Sequence, residues 1–157
     1  MNARSHRVYI GLGANVGDAA AAIRRAFAAL DALGTVRRRS SLYRTRPWGK
    51  TDQADFVNAV ASLETPLTPG ELLAALKALE ARLGRVPDAE RWGPRVIDLD
   101  ILTYDDLATE ESGLHVPHRD LLRRAFVLVP LAEIDPAYET WRDALPASEL
   151  AGVLRIS

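Results

Sequence analysis

The segment VIDLDIL, residues 96–102, narrows the possible folds most. Ile97, Leu99 and Ile101 alternate with Asp98 and Asp100. That period of two predicts a strand, Val96–Thr103, with one apolar face and one carboxylate face. A strand of this kind belongs in a sheet whose apolar side is covered by helices and whose other side meets water. The rest of the chain supplies such partners. Residues 7–14 alternate with Val8, Ile10 and Leu12 on one face and read as a strand. Asp18 is placed to cap a helix that runs to about Leu33, with Ile23, Ala26, Phe27, Leu30 and Leu33 as its apolar stripe and Gly34 as its stop. A strand is expected from about Val36 to Thr45. A polar loop over 46–55 follows, and then a strand over 56–64. Thr68, Pro69 and Glu71 form a capping box with proline at the first helical position. Leu72, Leu73, Leu76, Leu79 and Leu83 form the buried stripe of that helix, which Gly84 ends.

The order to this point is β-α-β-β-α-β. It predicts an α+β fold: a ferredoxin-like sandwich of one antiparallel sheet with both helices on one face, plus C-terminal additions. For those additions we expect a short helix near 118–124, a strand FVLVPL over 126–131, and a helix near 147–154. The 157 residues, 48% of them hydrophobic, suit a single domain over 1–157. No cysteine is present, which excludes disulfides and a thiol nucleophile. The N-terminal stretch lacks the apolar core of a secretory signal, and no apolar run reaches the roughly 20 residues that span a bilayer. These features lead us to expect a cytoplasmic chain without a membrane partner. A formal net charge of -1 argues against a nucleic-acid partner.

Two carboxylates this close on one strand repel, and a cation would offset that. Magnesium suits them, because it accepts one or two carboxylates and fills its shell with phosphate oxygens and water. Taken alone, a bare pair more often marks a solvated strand face, since short motifs match by accident. The surroundings add weight to the first reading. Arg82, Arg85, Arg91 and Arg95 lie upstream, and His118, Arg119, Arg123 and Arg124 follow. Arginines beside metal-binding carboxylates are the working parts of phosphoryl transfer. Trp92 adds a flat apolar surface in the polar loop between them. On the strand 56–64, Phe56 and Asn58 share a face. A ring and an amide suit a planar heterocycle, although a core phenylalanine beside an edge asparagine is also possible. Arg37, Arg38 and Arg39 also fit a charged edge that blocks aggregation. GLGANVG falls short of a dinucleotide loop, since Val16 stands where the third glycine belongs, and no P-loop is present. His115 and His118 have no evident carboxylate partner for a zinc site.

Together, YIGLGANVGD, SSLYRTRPWG, DFVNAV, GRVPDAERWGPRVIDLDIL and VPHRDLLRRAFVLVPLAEIDP resemble one family over nearly the whole chain, to about Pro136. It is the 6-hydroxymethyl-7,8-dihydropterin pyrophosphokinase family, also called 2-amino-4-hydroxy-6-hydroxymethyldihydropteridine diphosphokinase. The resemblance implies transfer of pyrophosphate from ATP to the hydroxymethyl group of the reduced pterin, with release of AMP, in folate biosynthesis. It implies two magnesium ions on Asp98 and Asp100, and Arg85 and Arg95 as the catalytic arginines on the transferring phosphates. It assigns Thr45, Arg46, Pro47, Trp48, Phe56, Asn58, Trp92 and Phe126 to the pterin side, with Trp92 and Phe126 sandwiching the ring. It assigns Lys77, Glu80, Ile101, His118, Arg119 and Arg124 to the nucleotide side, together with Arg85, Trp92 and Arg95. The chain departs from the family pattern at Phe56, where tyrosine is common, and at Pro87, where arginine is frequent. It departs again at Arg46 and Trp48, where smaller or apolar residues are usual. We expect a monomer whose loops at 46–55 and 85–95 close over bound nucleotide. A non-catalytic binder and an RNA-binding sheet are the rival readings. The retained aspartates and arginines oppose the first, and the missing aromatic RNA-binding strands oppose the second.

Overall fold

In the computed structural model the described residues are 5–46, 52–84, 96–111 and 113–157. Strand β1 (His6–Ala14) leads into helix α1 (Ala19–Ala29), which tightens into a 3-10 turn over Leu30–Ala32. Asp18 caps α1 by accepting the Ala21 N–H. Strands β2 (Thr35–Arg39), β3 (Tyr43–Thr45) and β4 (Phe56–Thr65) follow, then helix α2 (Pro69–Arg82) and strand β5 (Asp98–Tyr104). The capping box of α2 forms in both directions: Glu71 N–H donates to Thr68 Oγ1, and Thr68 N–H donates to Glu71 Oε1. Helices α3 (Ala125–Ile134), α4 (Glu139–Asp143) and α5 (Ala147–Ala151) and strand β6 (Val153–Arg155) complete the chain.

The sheet runs β5-β1-β4-β3-β6, with β2 also paired to β4. All named pairings are antiparallel. With β2 and β3 counted as one broken strand, this is the expected ferredoxin-like order. Val8, Ile10 and Leu12 pack under Ile23, Phe27 and Leu30 of the first helix and Leu72, Leu76 and Leu79 of the second. Ile97, Leu99 and Ile101 join them in the same core. Gly34 lets the chain re-enter the sheet, because a Cβ there would lie 2.1 Å from Glu64 O.

Four expectations need correction. The strand expected over 36–45 is broken at Ser40, whose hydroxyl accepts the Val60 N–H, and at Ser41, whose N–H and hydroxyl both donate to Glu133. Serine side chains here compete with the ladder. The segment 126–131 is not a strand but the middle of α3. An apolar run has no periodicity to separate a buried helix from a buried strand. Pro130, which a central strand would not accommodate, is the signal that opposed the strand reading.

As a third correction, residues 119–123 form successive turns rather than a helix. Leu121 N–H donates to His118 O and Arg123 N–H to Asp120 O, three residues back in each case, which is the bonding of turns. The last helix stops at Ala151, and β6 then pairs with β3. These elements also change the second face of the sheet. α3 lies across its middle, with Val127, Leu131 and Ile134 packed on Val60 and Leu102. The face left to solvent is therefore divided in two.

Candidate active site

The half that matters lies at the N-terminal end of α3. β1 supplies a floor without side chains: Gly11 pairs with Asp100 on one side and Val60 on the other, and Gly13 pairs with Asp98 and Asn58. Cross-strand partners share a face, so both aspartates stand beside the glycines. A cavity of about 60 Å³ forms over this floor, with Asp98, Asp100, Asn58, His118 and Phe126 in its lining. It is a floor rather than an enclosure, since ligand pockets hold roughly 300–1,000 Å³. The glycine pair was legible only as a failed dinucleotide motif. Its role follows from register, and a Cβ on Gly13 would sit 3.0 Å from Asn58 Oδ1. A larger groove, about 690 Å³, lies beyond the other end of α3 around Arg7, Arg38 and Tyr138. It contains neither Asp98 nor Asp100, so the smaller cavity is the candidate site.

Backbone contacts set the aspartates in place. β5 is an edge strand, and the Leu99 N–H between the two carboxylates donates to Glu80 Oε2 at 2.8 Å. Glu80 is buried on α2, so its carboxylate braces the strand from the side. His118 Nε2 lies 4.0 Å from Asp100 Oδ2. Burial lowers the His118 pKa, against the opposing pull of Asp120 and Asp98. Because Nδ1 accepts from Asp120 N–H, the neutral ring carries its proton on Nε2, the nitrogen nearer Asp100. Across the floor, Asn58 Nδ2 donates to Thr45 Oγ1, which fixes the amide beside the half-buried Phe56.

The structure thus brings together Asp98, Asp100, Asn58, His118 and Phe126 around one floor, with Thr45 behind Asn58. Arg124 immediately precedes α3, and Arg119 is exposed with its guanidinium against His115. Arg46 is exposed at the end of β3. Lys77 is exposed on α2, across the sheet from the floor. The Ile101 side chain lies in the core between sheet and helices, so only its backbone is available to a nucleotide. Arg85, Trp92, Arg95, Pro47, Trp48 and Pro87 lie outside the described residues, as do most of the two loops expected to close. No group of three or more metal-ligating side chains occurs among the described residues. No helix among them is long and apolar enough to cross a membrane.

A family model described as 7,8-dihydro-6-hydroxymethylpterin-pyrophosphokinase matches residues 9–136. The chain belongs to this family. Within it, a 2-amino-4-hydroxy-6-hydroxymethyldihydropteridine pyrophosphokinase of Methylorubrum extorquens is 47% identical over 156 residues, covering 96% of this chain and 98% of that one. A protein of the same name from Pseudomonas aeruginosa is 46% identical over 132 residues, covering 83% and 81%. The crystal structure of wild-type Plasmodium falciparum HPPK-DHPS with pterin and p-hydroxybenzoate shares the fold. Its TM-score is 0.70 at 17% identity, over 88% of this chain. The chain spans only 41% of that longer protein's length.

Proposed function

We propose that this member of the pyrophosphokinase family transfers the β,γ-pyrophosphate of ATP to the hydroxymethyl oxygen of 6-hydroxymethyl-7,8-dihydropterin. The products are the pterin diphosphate and AMP, and the step belongs to folate biosynthesis. The observation that carries the reading is the pair Asp98 and Asp100 beside the glycine floor, opposite Asn58 and Phe56.

The donor set fits magnesium. Two partly exposed carboxylates on one strand leave most of a coordination shell to phosphate oxygens and water. Asp98 and Asp100 would hold two Mg²⁺, which would neutralise phosphate charge and make the substrate hydroxyl more acidic. The chain's own groups do the rest. Asn58, held by Thr45, offers donor and acceptor to the pterin edge, and Phe56 and Phe126 offer ring faces. Neutral His118 presents its Nε2 proton toward the side of the floor where phosphate oxygens approach Asp100. Arg124 contributes fixed positive charge at the start of α3. Arg85 and Arg95 act on the transferring phosphates, where charge develops as the P–O bond to AMP breaks. Ordered positioning and charge neutralisation supply the catalysis. The attacking oxygen forms a bond to Pβ, the bridging oxygen leaves with AMP, and the hydroxyl proton passes to solvent or to an aspartate oxygen.

We place Lys77, Glu80, Arg119 and the Ile101 backbone on the nucleotide side, and Arg46, Pro47, Trp48 and Trp92 on the pterin side. We assign residues 1–157 to one cytoplasmic, monomeric domain that needs neither nucleic acid nor membrane. The test is AMP release with ATP, Mg²⁺ and 6-hydroxymethyl-7,8-dihydropterin. The expected result is one AMP per pterin diphosphate, with no AMP when the pterin is omitted. ADP as the nucleotide product would contradict the reading.

A further inference from the structure

The family match ends at residue 136, yet one side chain from beyond that point reaches the site. Glu149, on α5, accepts the Ala125 N–H through Oε1 at 3.2 Å. The same oxygen lies 3.7 Å from Arg124 Nε, in an ion pair that is largely shielded, with side-chain exposures of 22% and 29%. α3 has no cap of its own: Arg124 stands at its N-cap without a side-chain cap bond, and its first turn holds no acidic residue. The first N–H groups of a helix need acceptors, and the positive end of the helix dipole favours a carboxylate. Glu149 therefore provides, from 24 residues downstream, the cap that the local sequence lacks. The two residues that follow Ala125 are Phe126 and Val127, and both line the cavity beside the aspartates.

We infer that Glu149 is a positioning residue for the nucleotide side of the site. Its carboxylate lies at ion-pair distance from Arg124 Nε and accepts the first N–H of α3, the helix that Arg124 opens. At 3.7 Å the carboxylate acts on Nε as a neighbouring charge that holds the guanidinium near the start of α3, and the Nη edge is the part that meets a phosphate. The inference rests on the reading of Arg124 as a phosphate ligand. A role in stability alone would lower the melting temperature and leave substrate affinities unchanged.

Steady-state AMP release by the full chain separates these roles, with Glu149→Ala, Glu149→Gln, Arg124→Ala and the double variant compared. We expect Glu149→Ala to raise KM for ATP about three- to tenfold, with kcat changed by less than about twofold. Glu149→Gln keeps an acceptor for Ala125 but no charge for Arg124, and should give an intermediate KM. In the Arg124→Ala background, Glu149→Ala should add less than about twofold, since residues acting as one unit are not additive. An unchanged KM in folded Glu149→Ala, beside a raised KM in Arg124→Ala, would overturn the inference alone. So would effects that multiply fully in the double variant. An unchanged KM in Arg124→Ala would remove the nucleotide role of Arg124, and the inference with it. If Glu149→Ala does not fold, Glu149→Gln decides: a raised KM at the wild-type melting temperature supports the inference, and an unchanged KM overturns it.

Discussion

Replacing Glu80 with alanine should weaken both the fold and the reaction, because one carboxylate connects α2 to the strand that bears the aspartates. Glu80 is 8% exposed, and its Oε2 accepts the Leu99 N–H at 2.8 Å. Alanine leaves that buried N–H without its acceptor. A hydrogen bond to a charged group contributes about 1.5–3 kcal/mol, and an orphaned buried donor costs about 1–3 kcal/mol. These figures overlap rather than add, so the expected loss is about 2–3 kcal/mol. For a chain of this size, about 2–4 °C of melting temperature follows each kcal/mol. Glu80→Ala should therefore melt about 4–12 °C lower. Glu80→Gln keeps an oxygen acceptor at the same reach and should recover at least half of that. Because Leu99 lies between Asp98 and Asp100, kcat should fall in Glu80→Ala even at temperatures where it is fully folded. Thermal unfolding followed by circular dichroism, together with AMP release at 15 °C below the variant's own midpoint, tests both parts. A midpoint within about 1 °C of wild type, or glutamine no better than alanine, would mean that Glu80 does not brace the strand.

Gly13→Ala should raise KM for the pterin more than about threefold while leaving KM for ATP nearly unchanged, since the added Cβ meets Asn58 Oδ1 at 3.0 Å; titrating each substrate in turn checks this. Glu133 shapes the acid limb of stability. Burial pushes its pKa up, but hydrogen bonds from Ser41 and Tyr43 outweigh that and hold the carboxyl below its usual range. Its contribution is therefore complete above the ordinary carboxylate pKa of about 4.3 and is lost as pH falls through and below that value. Urea midpoints measured from pH 7 to pH 3 should fall less steeply in Glu133→Gln than in wild type.

Much of the candidate site was legible because its parts are local. The alternation of VIDLDIL put Asp98 and Asp100 on the face away from the core, where β5 holds them. The box at Thr68 and Glu71 located the start of α2 to the residue. The face pairing Phe56 with Asn58 followed from the same period of two. Other features depend on contacts distant in sequence. α3 was misread because AFVLVPLAEI is apolar on nearly every side, and it is buried between the sheet and the C-terminal segment. Only tertiary packing turns such a run into a helix, although Pro130 opposed the strand reading. Gly11 and Gly13 gain meaning from register with β4 and β5, which no motif around them encodes. Glu80 entered only through the family resemblance, as a nucleotide-side residue, and the structure adds its bond to Leu99 N–H, a contact 19 residues away. Glu149 lies outside every motif, and its pairing with Arg124 is visible only once α5 docks on α3.

We propose that the aspartate pair carries the reaction at this floor. Mg²⁺-dependent AMP release by Asp98→Ala plus Asp100→Ala, with melting temperature recorded in parallel, tests this directly. The double variant should fold and melt close to wild type, because both side chains are partly exposed and lie outside the core. Its rate of AMP release should fall by at least about a thousandfold. Wild-type turnover in a folded double variant would rule out that role for the pair.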